Sequence, residues 1–143
     1  MNRLRLATAS VFALTFAIIS VPNADGGGKA NKLRFEIYKD KASEFRWRLL
    51  DADGAAMAGS GQGYTTKQSC KDGVESVKTH GASDKAKFEI YEDKGKEFRW
   101  RLLATNGNNI ASSSGSFKSK ADAEATIATL KKALPKASVE EAK

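Results

Sequence analysis

The sequence predicts an α+β domain: two tandem β-β-β-α repeats forming one six-stranded antiparallel sheet, with both helices packed on one face. Three observations predict it. A block of residues recurs at a constant offset, each copy alternates apolar and polar residues as half-buried strands do, and each copy closes in a capped helical stripe. Phe35-Glu36-Ile37-Tyr38 returns as Phe88-Glu89-Ile90-Tyr91, and Glu44-Phe45-Arg46-Trp47-Arg48-Leu49-Leu50 returns as Glu97-Phe98-Arg99-Trp100-Arg101-Leu102-Leu103. The offset is 53 with no gap from Arg34/Lys87 to Lys78/Lys131, and 18 of these 45 paired positions are identical. Two copies are too few for a solenoid, so a duplication with internal pseudo-two-fold symmetry is the simpler reading.

Each repeat parses in the same order. Arg34 to Tyr38 alternates as a strand, with Phe35 and Ile37 on one face and Glu36 and Tyr38 on the other. A polar turn at Lys39 to Ser43 leads to a second strand, Phe45 to Leu50, with Phe45, Trp47 and Leu49 inward and Arg46 and Arg48 outward. Asp51-Ala52-Asp53-Gly54 and its counterpart Ala104-Thr105-Asn106-Gly107 read as hairpin turns, the glycine suiting positive φ. Weaker third strands follow at Ala55 to Ser60 and Asn108 to Ser113. Thr66 and Ser119 are N-cap residues. Cys70, Val74 and Val77 then form one helical stripe, and Ala123, Ile127, Leu130 and Leu134 form the other, with Gly81 and Pro135 as stop signals. A unit of about 45 residues is too small to bury a self-sufficient core, so the two units are expected to share one.

Ahead of the repeats, Arg3 and Arg5 precede an uncharged run from Leu6 to Val21. A basic start, a short apolar stretch and small residues after it have the layout of a secretory signal peptide. The run is shorter than the roughly 20 residues of a spanning helix. The expected organisation is therefore a signal peptide at 1–26, a linker at 27–33, repeats at 34–86 and 87–135 forming one domain, and a tail at 136–143. Export to the periplasm or outside follows, with membrane attachment only through an uncleaved leader.

The Phe-Glu-Ile-Tyr, Asp-Lys, Glu-Phe-Arg-Trp-Arg-Leu and Tyr-Thr-Thr-Lys elements resemble the YegP-like family, a bacterial domain of unknown function. The resemblance covers about 34–78 and 87–131. It implies that two three-strand-plus-helix units, from tandem copies or from two subunits, join in one sheet and exchange helices. It implies no established activity. The second copy departs at its helix, where Cys70 and Gly73 become Ala123 and Thr126.

The residues that could carry function lie on the outward sheet face. Tyr38, Arg46 and Arg48, with Tyr91, Arg99 and Arg101, form a duplicated surface, and Glu36 and Glu89 are its ion-pair partners. Even parity places Glu36 opposite either Arg46 or Arg48. The plain reading is cross-strand ion pairing on a solvated face. The functional reading is a binding surface for an anionic envelope polymer or protein, since arginine forks match carboxylate or phosphate and tyrosine supplies a flat contact. The same face could instead serve a structural, self-associating role, as a weak homodimer rather than a monomer.

The other candidates read as structure. Trp47 and Trp100 alternate with arginine and so face the core. Cys70 lies on an apolar stripe and has no counterpart, and one cysteine excludes an intrachain disulfide. His80 stands alone in the connection between units, without a spaced acid or nucleophile. No catalytic set, metal site or cofactor motif is present in the sequence, so a non-enzymatic binding or interaction module is expected. The net charge of +7 divides into +3 over 1–33 (four basic, one acidic), +1 over 34–86 (nine, eight) and +3 over 87–143 (eleven, eight). That dispersal lacks the dense basic stripe of a nucleic-acid module, and nucleic acid is disfavoured as a partner.

Overall fold

The computed structural model describes residues 32–143. The expected leader and most of the expected linker lie outside them. Among the described residues no helix is long and apolar enough to cross a membrane. Each repeat forms the expected units: β1 (Arg34–Lys39), β2 (Phe45–Leu50), β3 (Ala56–Ser60) and α1 (Lys67–Ala82), then β4 (Lys87–Glu92), β5 (Phe98–Leu103), β6 (Asn109–Ser113) and α2 (Lys120–Ala133).

The local reasons are those in the sequence. Gly54 and Gly107 take φ of +86° and +85° in the second turn of each repeat. The Thr66 and Ser119 side chains accept from the backbone N–H of Ser69 and Asp122, capping α1 and α2. Pro135 sits in a short 3-10 turn, Leu134–Lys136, that follows α2. Gly81 plays a different part from the expected stop signal. The helix runs one residue beyond it, and a Cβ at 81 would sit 2.5 Å from Leu134 Cδ1. Gly81 is there because the chain after α2 packs against it.

The sheet differs from the expected one in two respects. It has seven strands in the order β4-β5-β6-β3-β2-β1-β7, and it is mixed rather than wholly antiparallel. The seventh strand, β7 (Ser138–Glu141), comes from residues expected as a tail and pairs in parallel with β1. It carries one apolar residue, Val139, among Ser138, Glu140 and Glu141, so no alternation marked it as a strand. It is held by backbone bonds from Ser138 N–H to Leu33 C=O and from Ala142 N–H to Ile37 C=O, and by Glu141 on Lys67 Nζ at 2.9 Å.

The helices are also not exchanged. α1 packs on β1 and β2 of its own repeat and reaches across to β6, while α2 packs on its own β4 and β5. The shared core stands. Phe35, Ile37, Trp47, Leu49, Ala58, Cys70, Val74 and Val77 of the first repeat bury with Trp100, Leu102, Ala111 and Leu130 of the second in one cluster. Each repeat keeps its own aromatic pair: Phe35 edge-on to Trp47 at 5.2 Å, Phe88 edge-on to Trp100 at 5.5 Å. All of this apolar area lies on one side of the sheet, which leaves the other side to the arginines.

Candidate functional site

Register alone lines up a row of side chains across the outward face. Glu36 pairs with Arg48, Arg48 with Gly59, Gly59 with Ser112, Ser112 with Arg101, and Arg101 with Glu89. Glu140 of β7 extends the row beyond Glu36. Gly59 and Ser112 are the same repeat position, 53 residues apart, and they face each other. The pseudo-two-fold axis therefore passes between them. At the axis stand only the backbone of Gly59 and the hydroxymethyl of Ser112, to which Asn109 Nδ2 donates at 2.9 Å, and the pair is flanked by Arg48 on one side and Arg101 on the other. Three strand spacings of roughly 4.8 Å place the two arginine positions about 14 Å apart.

Each flank is a stacked, ion-paired unit. The Arg48 guanidinium bonds Glu36 through Nε at 2.7 Å and through Nη2. It also lies over the Tyr38 ring, 5.2 Å from its centroid. In the second repeat Arg101 Nε bonds Glu89 Oε2 at 2.8 Å, and the guanidinium lies 5.5 Å from the Tyr91 centroid. Stacking on a ring and bonding to a carboxylate fix a long side chain that solvent would otherwise leave free. Both arginines remain half-exposed, at 48% and 46% of their side-chain surface.

Arg46 and Arg99 are tied to the turns instead. They pair across the sheet with Tyr38 and Tyr91, but their ion pairs are made with the turn aspartates. Arg46 Nε bonds Asp40 Oδ2 at 2.6 Å, and Arg99 Nε bonds Asp93 Oδ2 at 2.7 Å. The other oxygen of Asp40 accepts the backbone N–H of Ala42 and Glu44, and that of Asp93 accepts Gly95 and Glu97. These bonds hold a turn in which Ser43 and Lys96 take φ of 63° and 59°, a left-handed conformation that non-glycine residues seldom adopt. The arginine bond, ahead of the backbone bonds, holds both aspartates below the usual carboxylate range. Sequence reasoning missed Asp40 and Asp93. Their signal was available as an aspartate six residues before the first arginine in both repeats.

The remaining candidates are structural. Trp47 and Trp100 are buried on the helix side. Cys70 is fully buried, and burial pushes its thiol up to about 11. His80 Nδ1 lies 2.9 Å from the Ser76 carbonyl, one turn back in α1. Among the described residues no group of three His, Cys, Asp or Glu side chains is placed to hold a metal ion.

A β-β-β-α duplication folded into one sheet, with an arginine–tyrosine unit repeated about its axis, defines the class of protein. The chain belongs to the family described as a domain of unknown function, DUF1508, whose model matches residues 40–87 and 93–141, one match in each repeat. A UPF0339 protein from the ptx operon 5′ region of Stutzerimonas stutzeri is 40% identical over 107 residues, covering 75% of this chain and 94% of that relative. The UPF0339 protein NMB1088 of Neisseria meningitidis is 45% identical over 53 residues, which are 37% of this chain and 93% of that protein. That relative therefore has the length of one repeat. The solution structure of yegP from E. coli, described as a protein of unknown function, superposes with a TM-score of 0.67 at 25% identity, over 77% of this chain and 92% of that one.

Proposed function

We propose that this chain is a non-enzymatic binding module, and that its outward sheet face takes an elongated acidic polysaccharide of the cell envelope. The observation that carries the reading is the arrangement about the axis: Arg48 on Tyr38 and Arg101 on Tyr91, about 14 Å apart by strand count, across a floor of Gly59 and Ser112. Arginine forks recognise sugar carboxylates, tyrosine rings offer a flat contact, and Glu36 and Glu89 accept from hydroxyls. A polymer with a repeating unit can meet two equivalent half-sites at once, and the second contact then costs little additional entropy.

The electrostatics favour this over a dense polyanion. Each of the four face arginines already has a carboxylate partner. The face is nearly neutral, so recognition there depends on geometry more than on counterion release. The envelope as the compartment is part of the proposal and rests on the leader-like start of the sequence.

The test is binding of the intact chain to immobilised polyuronate, with neutral glucan as the comparison. Wild type is expected to be retained on polyuronate and not on glucan. Arg48→Ala with Arg101→Ala is expected to weaken retention at least tenfold with an unchanged far-UV spectrum. Equal retention of variant and wild type would remove the reading.

A further inference from the structure

The first strands of the two repeats carry the same sequence but not the same neighbours. β1 presents Phe35-Glu36-Ile37-Tyr38 and is covered by β7; β4 presents Phe88-Glu89-Ile90-Tyr91 at the opposite end of the sheet, with no strand beyond it among the described residues. The edge is regular: β4 pairs with β5 without a bulge and contains no proline. Its residues show the lack of cover on both faces. Phe35 and Ile37 are 0% and 3% exposed, whereas Phe88 and Ile90 are only partly buried and Tyr91 is 40% exposed.

The covered edge is a template for the open one. The carbonyls of Leu33 and Ile37 point outward to β7, accepting from Ser138 and Ala142. Their repeat counterparts, 53 residues on, are Ala86 and Ile90. A strand's N–H and C=O groups alternate sides with each residue, so Phe88 and Ile90 turn their backbone groups to the open edge of β4, and Ala86 offers its carbonyl there while its N–H is held by the Ser83 carbonyl at 3.0 Å. Two of the three charges that fix β7 are matched as well. Arg34, 3.7 Å from Glu140, has Lys87 as its counterpart, and Lys67, on Glu141, has Lys120. Lys71, the second contact of Glu141, is replaced by Glu124, which lies 3.9 Å from Lys120.

We infer that the β4 edge is a peptide-binding site. It adds an extended segment of a partner protein as an eighth strand, parallel to β4, with an apolar residue followed by two acidic ones in the manner of Ser138-Val139-Glu140-Glu141. The backbone supplies affinity and Lys87 with Lys120 supplies the preference for acid, the ordinary division of labour in strand addition. The C-terminal strand of a second copy is not the natural occupant, because it would have to leave its own β1, where it is tethered. The site is the backbone edge of β4, next to the Glu89 and Tyr91 that the same strand contributes to the arginine–tyrosine face.

The experiment is a titration of the isotopically labelled full chain with the synthetic peptide Ala-Ser-Val-Glu-Glu-Ala-Lys, followed by amide chemical shifts. The expected result is saturable shifts at Phe88 and Ile90, with those of Phe35 and Ile37 unmoved. A peptide with proline at the position of Glu140, whose N–H faces the edge, is expected to shift nothing. Lys87→Glu with Lys120→Glu is expected to weaken binding roughly fivefold, as the loss of two exposed ion pairs should. Absence of saturable shifts at β4 would overturn the inference. Shifts at β1 instead would overturn it too, since they report displacement of β7. Concentration-dependent shifts at β4 without peptide would also do so, by assigning the edge to a second copy.

Discussion

Gly59 on β3 faces Ser112 on β6, and the two are one position of the repeat meeting itself across the pseudo-two-fold axis. Everything on the outward face is arranged about that pair, so it is also where the face can be blocked without touching an arginine. A Cβ at Gly59 meets only the Trp47 carbonyl oxygen, at 3.8 Å, an ordinary contact. Gly59→Phe is therefore expected to fold with a stability change within about 1 kcal/mol, typical of surface positions, and to abolish retention on polyuronate. Chemical denaturation and the binding assay, run on one preparation, check both halves.

The repeats have diverged at a second contact. A Cβ at Gly73 would clash with the end of the Tyr64 ring, with its hydroxyl oxygen and, at 2.6 Å, with its Cζ, whereas the equivalent pair in the second repeat is Phe117 and Thr126. The end of the tyrosine ring, oxygen and Cζ together, and a side chain on the helix compete for one space. Gly73→Ala is expected to destabilise wild type by about 1 kcal/mol, as overpacking outweighs better helix propensity. In a Tyr64→Phe background the ring carbon Cζ still stands 2.6 Å from that Cβ, so the same change is expected to cost less than in wild type, without stabilising. A double-mutant cycle in urea measures the coupling; additive effects would contradict it.

Acid is expected to unfold the chain through its turns. Asp40 and Asp93 titrate below their ordinary value because of their arginine and backbone bonds, and Glu141 does so because of Lys67. A carboxylate with a depressed folded pKa binds fewer protons folded than unfolded, so its contribution is complete above about pH 4 and is lost as pH falls through the folded value. The urea midpoint is expected to be flat from pH 7 to 5 and to fall below 4. Asp40→Asn with Asp93→Asn should be less stable at neutral pH and show a shallower acid slope. A slope equal to wild type would show that these turns do not govern it.

Cys70 is expected to be inert in the folded state. It is fully buried with its thiol raised to about 11, and nucleophilic attack needs the thiolate. A thiol reagent should modify it only at the rate of unfolding, and rapid stoichiometric modification of the native chain would contradict this.

How much was legible in the sequence follows from which forces write periodic signals. The strands, turns and caps were readable because Phe35, Ile37, Trp47 and Leu49 alternate with polar residues, and because the whole pattern is printed twice. The facing of Arg48 and Arg101 followed from parity. β7 was not readable: it is a short edge strand held by backbone bonds and two lysines of α1, and Val139 alone gives no period. The division of the arginines was hidden for a related reason. Parity left Glu36 between Arg46 and Arg48, and only the turn geometry that draws Asp40 onto Arg46 assigns Glu36 to Arg48. Helix exchange came from resemblance rather than from residues, and here α2 stays over its own repeat while α1 covers its own β1 and β2 and reaches β6 of the second.

The most direct measurement of the central claim is polyuronate affinity for wild type, Arg48→Ala, Arg101→Ala and the double variant, by calorimetry at two salt concentrations. Two equivalent half-sites predict that either single change weakens binding by a similar factor, that the double change abolishes it, and that salt dependence is shallow because few charges are neutralised. Indifference to both substitutions, or the steep salt dependence of a diffuse polycation, would contradict a site built about the Gly59–Ser112 axis.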